Sequence, residues 1–424
     1  MKKNKPVPVT TIPTADDIKR AYDKNKQLKP EFFHETPIVT SSNINELTER
    51  NIYFKLECMQ KTGSFKIRGN YNLISDFAEK EGRDWILYTA SAGNHAQGFA
   101  SSATLEKMDS VVVMPELTPN SKIKATERYG AKVVIKGENF DESFNEAKKM
   151  VDEDDKGVFI SPFGDTRIIA GHGTVGVEID NQINDLDAVI CPIGGGGLIS
   201  GISTYLKSKN PKIKVIGVQT DFFPAMSVSY HDKKRVKVIG KGTTIAEGIA
   251  VENPGKLPYE IICAEVDEIV TVSEEEIAKS ILYLNEILKV VPEGAGAVPL
   301  AALISNRIPT HFIQKEDKVC CLVSGGNIDL NEMENIINLG LIKTNRRIQL
   351  DIGISNEPKA LINLLKIIDD QHVRIIELDQ DFVEKVSVHS LRIRLTCDIK
   401  DKRHKDLLLQ ELSYNKYSYI ETSK

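Results

Sequence analysis

Lys66 is the residue whose surroundings best suit covalent chemistry in this sequence. It lies within residues 62–69 (TGSFKIRG), where its nearest neighbours are small, aromatic or aliphatic and a glycine flanks the stretch on each side. Burial disfavours the charged form of a lysine and lowers its pKa, and the neutral amine can then attack a carbonyl group. Most lysines are instead solvated surface residues. The neighbours of Lys66 favour a reactive amine, although the local sequence alone leaves a surface role open.

A run of four glycines forms the most distinctive loop of the chain. It lies between an apolar run at residues 188–193 and a helical pattern that begins at Leu198. Its members are Gly194, Gly195, Gly196 and Gly197. Unobstructed backbone N–H groups in front of a helix bind anions, and this loop is sized for a phosphate. Because the spacing matches neither a P-loop nor a dinucleotide fold, we expect a phosphate on something smaller than a nucleotide. A tight strand–helix turn is the structural alternative.

Two further loops of small residues follow apolar, strand-like runs. Residues 91–95 (SAGNH) follow the run at 86–90, and residues 324–327 (SGGN) follow the run at 319–323. Ligands of open α/β sheets bind beyond the carboxyl ends of the strands, so the three loops are expected to share one pocket. A phosphate site and a desolvated lysine together point to pyridoxal phosphate, held by backbone N–H groups at one end and by an imine at the other.

The elements that carry these loops alternate between short apolar runs and amphipathic helical stretches. Several runs are apolar throughout, as strands covered on both faces are. The alternation predicts an open, mostly parallel α/β sheet. The predicted strands lie at residues 51–57, 86–90, 110–114, 131–135, 188–193, 214–219 and 319–323.

The pattern changes near residue 340. The predicted elements beyond it are strands at 348–354, 373–378, 386–397 and 417–420, a helix capped by Asn356 and a helix at 404–412. Their β-α-β-β-α-β order is the ferredoxin-like arrangement. We expect a catalytic domain at residues 1–335, with a smaller subdomain at about 60–170 inserted in it, and a C-terminal α+β domain at 346–424 that serves binding or assembly.

Composition argues against several functional classes. The chain has 424 residues and a net charge of −5 without a concentrated basic stripe, which argues against nucleic acid as the main partner. It has no apolar run long enough to span a membrane, and no apolar segment follows the N-terminal lysines as a secretory signal requires. The six cysteines are scattered and form no C-x-x-C pair, which favours a reducing compartment and predicts a cytoplasmic protein.

Three motifs resemble those of the serine/threonine dehydratase family, in the family's order. Residues 55–69 (KLECMQKTGSFKIRG) resemble its cofactor-lysine motif, residues 91–98 (SAGNHAQG) its asparagine loop and residues 194–197 its tetraglycine loop. The resemblance covers roughly residues 30–330. The implied fold is the type II fold of pyridoxal-phosphate enzymes (tryptophan synthase β-like), with two open parallel-sheet subdomains. The C-terminal α+β unit resembles the single ferredoxin-like, ACT-like regulatory domain of the short biosynthetic threonine dehydratases in that family.

The resemblance implies an ammonia-lyase with pyridoxal 5'-phosphate as its cofactor. Such an enzyme would convert L-threonine to 2-oxobutanoate and ammonia, the first step of isoleucine biosynthesis, with L-serine as a secondary substrate. Isoleucine and valine would be its allosteric effectors, although no particular residue indicates that they act on this chain. A homo-oligomer, either dimer or tetramer, is also expected.

The resemblance further implies roles for the residues that contact the cofactor ring. Lys66 would hold the cofactor as an imine and, once released by the substrate, remove the α-proton. Phe65 would pack beside the ring, Asn94 would hydrogen-bond its phenolic oxygen, and Glu293 would lie near it. Ser324 would meet the ring nitrogen. A neutral hydroxyl there makes the ring a weaker electron sink than an aspartate would, which favours elimination over transamination or racemisation.

The resemblance implies that the remaining site residues bind the phosphate or the substrate carboxylate through their backbone N–H groups. The segment from Gly194 to Leu198 would hold the phosphate. The substrate carboxylate would bind the N–H groups of Ser91, Ala92, Gly93, Asn94 and His95. Structural alternatives stay open: core packing for Phe65, helix capping for Asn94, a helix-start carboxylate for Glu293.

Three alternatives to a threonine dehydratase remain: a serine racemase, a serine dehydratase, and a degenerate protein of this fold that only senses amino acids. Relatives with racemase activity carry a serine where this chain has Ala92, which cannot deliver a proton to the opposite face of the substrate. Many relatives also have an acidic residue after the strand at 214–218 that helps to bind a cation. This chain has Gln219 and Thr220 there, which predicts no metal.

Overall fold

The computed structural model describes residues 5–6, 8–28, 30–381 and 390–422. Contacts divide the chain into two compact units, Met1–Leu330 and Asn331–Lys424, and each is described by itself. In the described part of the chain, no helix combines the length and the apolar character that crossing a membrane requires.

The strands of the first unit form two sheets. Within the described residues the strands are β1 (Ile38–Thr40), β2 (Asn51–Leu56), β3 (Ile86–Ala90), β4 (Ser110–Met114), β5 (Lys132–Ile135), β6 (Gly157–Phe159), β7 (Ala188–Pro192), β8 (Lys214–Thr220), β9 (Glu268–Val272) and β10 (Lys318–Val323). The larger sheet has the order β1-β2-β10-β7-β8-β9 and the smaller has the order β5-β4-β3-β6. All neighbouring strands are parallel except β1 and β2, which are antiparallel.

Helices cover these sheets. Within the described residues they are α1 (Ala15–Lys26), α2 (Ser42–Thr48), α3 (Lys66–Glu81), α4 (Asn94–Leu105), α5 (Asn120–Arg128), α6 (Phe140–Glu153), α7 (Thr166–Gln182), α8 (Gly197–Lys209), α9 (Ala225–His231), α10 (Lys256–Glu265), α11 (Glu274–Glu286) and α12 (Gly294–Ile304). Short 3-10 turns lie at Glu57–Met59 and Glu247–Ile249.

The prediction of an open, parallel α/β architecture is confirmed. Every residue of β4 and of β7 is buried, as expected for strands that are covered on both faces. β3 and β4 coincide with their predicted ranges, and the other five strands predicted in this unit differ from the observed ones by one residue at one end. Uniformly apolar runs therefore identified the strands that carry the candidate site.

Close packing between α7 and α8 fixes the position of the glycine loop. A Cβ atom on Gly201 of α8 would lie 2.3 Å from the backbone oxygen of Ile169 and 2.5 Å from the backbone nitrogen of Gly173, both in α7. Only glycine permits two helix backbones to approach this closely. The N-terminus of α8 is thereby held against α7.

The second unit has the predicted ferredoxin-like topology. Its described elements are α13 (Leu330–Lys343, which begins at the last residue of the first unit), β11 (Arg347–Ser355), α14 (Ala360–Asp370), β12 (Arg374–Asp381), β13 (Ser390–Asp398), α15 (Lys402–Tyr414) and β14 (Ser418–Glu421). The strand order is β12-β13-β11-β14, and all pairs are antiparallel. The alternating side chains of β11 bury Ile348, Leu350 and Ile352 in one core. Residues 386–389 of a predicted strand lie outside the described residues.

The prediction that Asn356 caps the first helix of this unit is wrong. The helix begins four residues later, at Ala360, and Lys359 is its cap residue. Pro358 is the physical reason, because the residue before a proline is disfavoured in the helical region. The chain turns at Glu357 instead, whose carbonyl accepts hydrogen bonds from the N–H groups of Lys359 and Ala360.

Candidate active site

Lys66 is the first residue of α3 and follows Phe65, the cap residue of that helix. Gly98 lets α4 pack closely there, since a Cβ atom at this position would lie 2.9 Å from the backbone nitrogen of Ile67. Burial lowers the pKa of Lys66 to about 8, although the Glu293 carboxylate acts in the opposite direction. The Lys66 Nζ atom lies 5.1 Å from the centroid of the Phe65 ring. The desolvated amine expected from the sequence is therefore present.

Backbone contacts join the lysine loop to the loop that contains Ser324. The N–H of Phe65 donates to the carbonyl of Ser324 (3.1 Å), and the N–H of Gly326 donates to the carbonyl of Gly63 (2.9 Å). Ser64 and Gly325 also form an antiparallel bridge. Ser324 follows β10 directly and is buried. Two segments that are some 260 residues apart in sequence thus form one wall of the site.

Asn94 is held by two partners that lie far away in the sequence. Its Nδ2 atom donates to both carboxylate oxygens of Glu293, at 2.7 and 2.9 Å. Its Oδ1 atom accepts from Nδ2 of Asn327 (2.8 Å), which also donates to the carbonyl of Thr62 (2.7 Å). These bonds fix the orientation of the Asn94 amide.

The structure bears on two of the structural alternatives, those for Asn94 and Glu293. Asn94 is not a helix cap, because it is the first residue of α4 and Gly93 occupies the cap position. Glu293 does lie at a helix start, because it is the cap residue of α12, although its side chain makes no capping hydrogen bond. Burial raises the pKa of Glu293, while the Asn94 amide and nearby lysines act against this. Asn327 was not predicted as a site residue, although it is the last residue of the loop at 324–327 that follows β10.

The tetraglycine loop packs too closely against its neighbours to carry side chains at Gly195 and Gly196. It connects β7 to α8, and Gly196 has a φ of 94°, which favours glycine. A Cβ atom on Gly195 would lie 2.6 Å from the Phe163 ring, and one on Gly196 would lie 2.8 Å from Pro258. Backbone N–H groups at the start of a helix suit a phosphate. Leu198, the next residue of α8, is buried.

In the loop after β3 the backbone is partly used within the protein, and a histidine is held in place. The N–H of Ser91 already donates to the carbonyl of Val113 (3.2 Å), so strand pairing uses it. His95 is buried between the side chains of Thr89 (3.1 Å) and Asn70 (3.3 Å). Burial lowers the pKa of His95 well below its usual range, and the charge of Lys66 adds to this. Both ring nitrogens of His95 are thus engaged within the protein.

The side-chain amide of Gln219 is held by two hydrogen bonds within the protein. Its Nε2 atom donates to the carbonyl of Ile193 (3.1 Å), and its Oε1 atom accepts from the N–H of Ser227 (2.8 Å). Among the described residues no group of three or more His, Cys, Asp or Glu side chains could hold a metal ion. The absence of a metal from the reaction stays a prediction.

A buried network of charged side chains begins at Arg68, two residues after Lys66, and the sequence did not predict it. Arg68 contacts the carboxylates of Glu57 (2.6 and 2.8 Å) and Glu178 (2.6 and 2.9 Å). Lys55 also donates to Glu178 (2.6 Å). All four side chains are essentially inaccessible to solvent. Burial would raise the pKa of Glu178, but Arg68 and Lys55 outweigh this and lower it. The network anchors the start of α3 to β2 and α7.

The residues present fit pyridoxal phosphate. Glycine at positions 195 and 196 lets the loop pack closely, the backbone N–H groups at the start of α8 suit a phosphate, and Lys66 provides an amine of lowered pKa. Phe65 lies between the lysine and the glycine loop. The centroid of its ring is 5.1 Å from the Lys66 Nζ atom and 4.8 Å from the centroid of the His172 ring. His172 in turn borders Gly197 of the loop.

Comparison with known proteins agrees with this geometry. The family model described as pyridoxal-phosphate dependent enzyme matches residues 31–325. The chain is 42% identical, over 92% of its length and 95% of the relative's, to the L-threonine ammonia-lyase of Thermotoga maritima. The structure of processed threonine deaminase isoform 2 from Solanum lycopersicum covers 80% of this chain and 98% of that one, with a TM-score of 0.70 and 32% identity.

A structure of maize serine racemase also matches, with a TM-score of 0.71, 29% identity, and coverage of 77% of this chain and 97% of that one. The predicted type II fold is therefore confirmed, together with the C-terminal antiparallel sheet domain. The matched region contains Lys66, Asn94, the glycine loop and Ser324. The chain belongs to the family of pyridoxal-phosphate-dependent enzymes.

Proposed function

We propose that this protein is an L-threonine ammonia-lyase that converts L-threonine to 2-oxobutanoate and ammonia, with L-serine as a secondary substrate. The observation that carries the proposal is the match to an L-threonine ammonia-lyase along 92% of the chain. That match extends beyond the catalytic region into the C-terminal unit. The arrangement around Lys66 supports the same chemistry.

Lys66 has two tasks in this proposal. Its amine holds the cofactor, and after the substrate amine displaces it, the Nζ atom accepts the proton from the substrate α-carbon. Bound pyridoxal phosphate supplies the electron sink that makes this proton acidic. An ordinary lysine would be almost fully protonated near neutral pH, but the lowered pKa of Lys66 leaves a useful fraction of neutral amine.

The surrounding side chains orient the cofactor and the substrate. Glu293 and Asn327 fix the Asn94 amide. One N–H of that amide can serve both Glu293 oxygens, which leaves the other to donate to the phenolic oxygen of the ring. The Ser324 hydroxyl would face the ring nitrogen, and Phe65 would pack beside the ring. The backbone N–H groups from Gly194 to Leu198 would bind the phosphate.

The substrate carboxylate would bind at the loop after β3. The Ser91 N–H is used in strand pairing, and the Gly93 N–H donates to the Ser91 Oγ atom (3.3 Å). The Ser91 hydroxyl and the N–H groups of Ala92, Asn94 and His95 are the donors that remain. At the start of α4 they also benefit from the positive end of the helix dipole. A proton equivalent to the one that Lys66 accepts leaves with the β-hydroxyl of the substrate as water, and hydrolysis of the released enamine by water gives 2-oxobutanoate and ammonia.

Serine racemisation is the competing activity, since a serine racemase shares the fold. Racemisation needs a proton donor on the second face of the substrate, and Ala92 has no hydroxyl to supply it. Incubation with L-threonine and L-serine, followed by assay of 2-oxo acids and of D-serine, separates the two activities. We expect 2-oxobutanoate, some pyruvate and no D-serine. A protein that forms D-serine without 2-oxo acids would be a racemase.

The C-terminal unit is proposed as a regulatory domain at residues 346–424, beside a catalytic domain at 1–335 with its inserted subdomain at about 60–170. Isoleucine and valine are the proposed effectors, and the pathway served is isoleucine biosynthesis. We also propose a homo-oligomer in the cytoplasm. The six cysteines support a reducing compartment, since all of them are free thiols.

The pH dependence of cofactor capture follows from the pKa of Lys66. Only the neutral amine reacts with the aldehyde of pyridoxal phosphate. With a pKa of about 8, roughly a tenth of the amine is neutral at pH 7 and most of it above pH 9. The rate at which apo-enzyme binds the cofactor, measured by stopped-flow absorbance, should rise through pH 8 and then level off.

Glu293→Gln provides the matched control for this pH profile. The Glu293 carboxylate favours the protonated lysine and so raises the pKa of Lys66. Removal of its charge should therefore move the midpoint of the profile to lower pH, while the glutamine can still accept the hydrogen bond from Asn94. A wild-type midpoint near 10.5, the ordinary value for lysine, would show that Lys66 is not desolvated.

A further inference from the structure

His172 is a buried histidine that lies beside the glycine loop with both ring nitrogens unpaired. It belongs to α7 and is 1% exposed. Neither Nδ1 nor Nε2 has a hydrogen-bond partner in the part of the chain that the structure describes. A neutral imidazole has one N–H donor and one acceptor nitrogen, and a buried donor without a partner destabilises the protein. A ring nitrogen of His172 is therefore available to a group bound beside it.

The two nitrogens face different surroundings. A Cβ atom on Gly197, the first residue of α8, would lie 3.5 Å from Nδ1. The Nε2 side is closed by backbone, because a Cβ atom on Gly69 would lie only 2.5 Å from it. The ring also packs edge-on against Phe65, with 4.8 Å between centroids. Nδ1 is thus the nitrogen that borders the glycine loop.

The charge state of His172 suits hydrogen-bond donation rather than ion pairing. Burial holds its pKa well below the usual range, and the charges of Lys66 and Arg68 act in the same direction. The ring is therefore neutral and carries a single N–H. With that proton on Nδ1, the donor lies beside Gly197, at the start of α8.

We propose that His172 is a further cofactor-binding residue, whose Nδ1–H donates a hydrogen bond to the phosphate of pyridoxal phosphate at the glycine loop. His172 lies in α7, whereas the glycine loop leads into α8. It supplies a side-chain donor to a phosphate site that is otherwise built from backbone N–H groups. The inference depends on cofactor binding and not on which amino acid is dehydrated.

The test compares the affinity of the apo-enzyme for pyridoxal phosphate with its affinity for pyridoxal, which lacks the phosphate. His172→Leu removes the donor, whereas His172→Asn places an amide N–H where Nδ1 lies. We expect the leucine variant to bind pyridoxal phosphate about 10- to 100-fold more weakly, as for loss of one hydrogen bond to a charged group. Its affinity for pyridoxal should stay unchanged, and the asparagine variant should keep most of the affinity for pyridoxal phosphate.

Several results would overturn this inference. An equal loss of affinity for both ligands would mean that His172 only packs the site, as would an asparagine variant that binds as weakly as the leucine variant. Unchanged binding of pyridoxal phosphate by the leucine variant would also contradict it. A wild-type protein that binds neither ligand would instead contradict the cofactor assignment. Thermal unfolding of the apo-proteins controls for folding, and if the leucine variant is unfolded, His172→Phe, which keeps a planar ring without a donor, takes its place with the same expected loss.

Discussion

The Lys66→Ala variant is expected to lose threonine turnover and the absorbance band of the bound cofactor together. The variant lacks both the amine that holds the cofactor and the group that accepts the α-proton. Removal of one group that serves as both nucleophile and base lowers turnover by roughly a thousandfold or more. The rate of 2-oxobutanoate formation and the visible spectrum of the purified protein measure the two effects.

Lys61→Ala is the matched control for this variant. Lys61 lies five residues earlier in the same loop and is exposed, so its replacement should leave both the spectrum and the rate close to those of wild type. A Lys66→Ala protein that keeps wild-type threonine deamination would exclude Lys66 as the catalytic lysine. Loss of activity in both variants would point to general damage of the loop.

The Arg68→Met variant is expected to lose about 3–5 kcal/mol of the free energy of unfolding, as for removal of one partner from a buried ion pair. Its replacement leaves the carboxylates of Glu57 and Glu178 buried with only Lys55 as a charged partner. The single tryptophan, Trp85, is buried in the core of the first unit. Its fluorescence during urea denaturation reports the unfolding of that unit.

Arg307→Met is the control for the cost of losing an arginine ion pair. Arg307 contacts Glu276 (2.8 Å) in the same unit, but half of its side chain is exposed. Exposed pairs contribute little because water and salt screen them, so the urea midpoint should hardly change. Equal shifts in the two variants would mean that the buried network contributes no more than a surface pair.

Features that depend on local sequence could be predicted. β3 and β4 were recognisable from apolar runs, and the glycine loop from four adjacent glycines before a helix. Lys66 stood out because its immediate neighbours are apolar. In each case the physical cause, strand burial or the freedom of a glycine backbone, acts within a few residues. The predicted start of α14 is wrong because Pro358 disfavours a helical backbone at the residue before it.

Features that depend on distant pairs could not be predicted from the residues alone. Asn94 and Glu293 are 199 positions apart, and Asn94 and Asn327 are 233 apart. Arg68 reads as an ordinary surface arginine in the sequence, and its buried state depends on Glu178, 110 residues later. His172 likewise gains meaning only from the helix that packs against it. Such contacts are set by the tertiary fold and leave no local periodicity.

The most direct measurement is the stoichiometry of the reaction of the wild-type holoenzyme with L-threonine. Elimination of water followed by hydrolysis predicts that 2-oxobutanoate and ammonia form in equal amounts, each equal to the threonine consumed, while the cofactor spectrum persists. A protein that carries the cofactor on Lys66 but leaves L-threonine unchanged, or consumes it without release of ammonia, would contradict the proposed function.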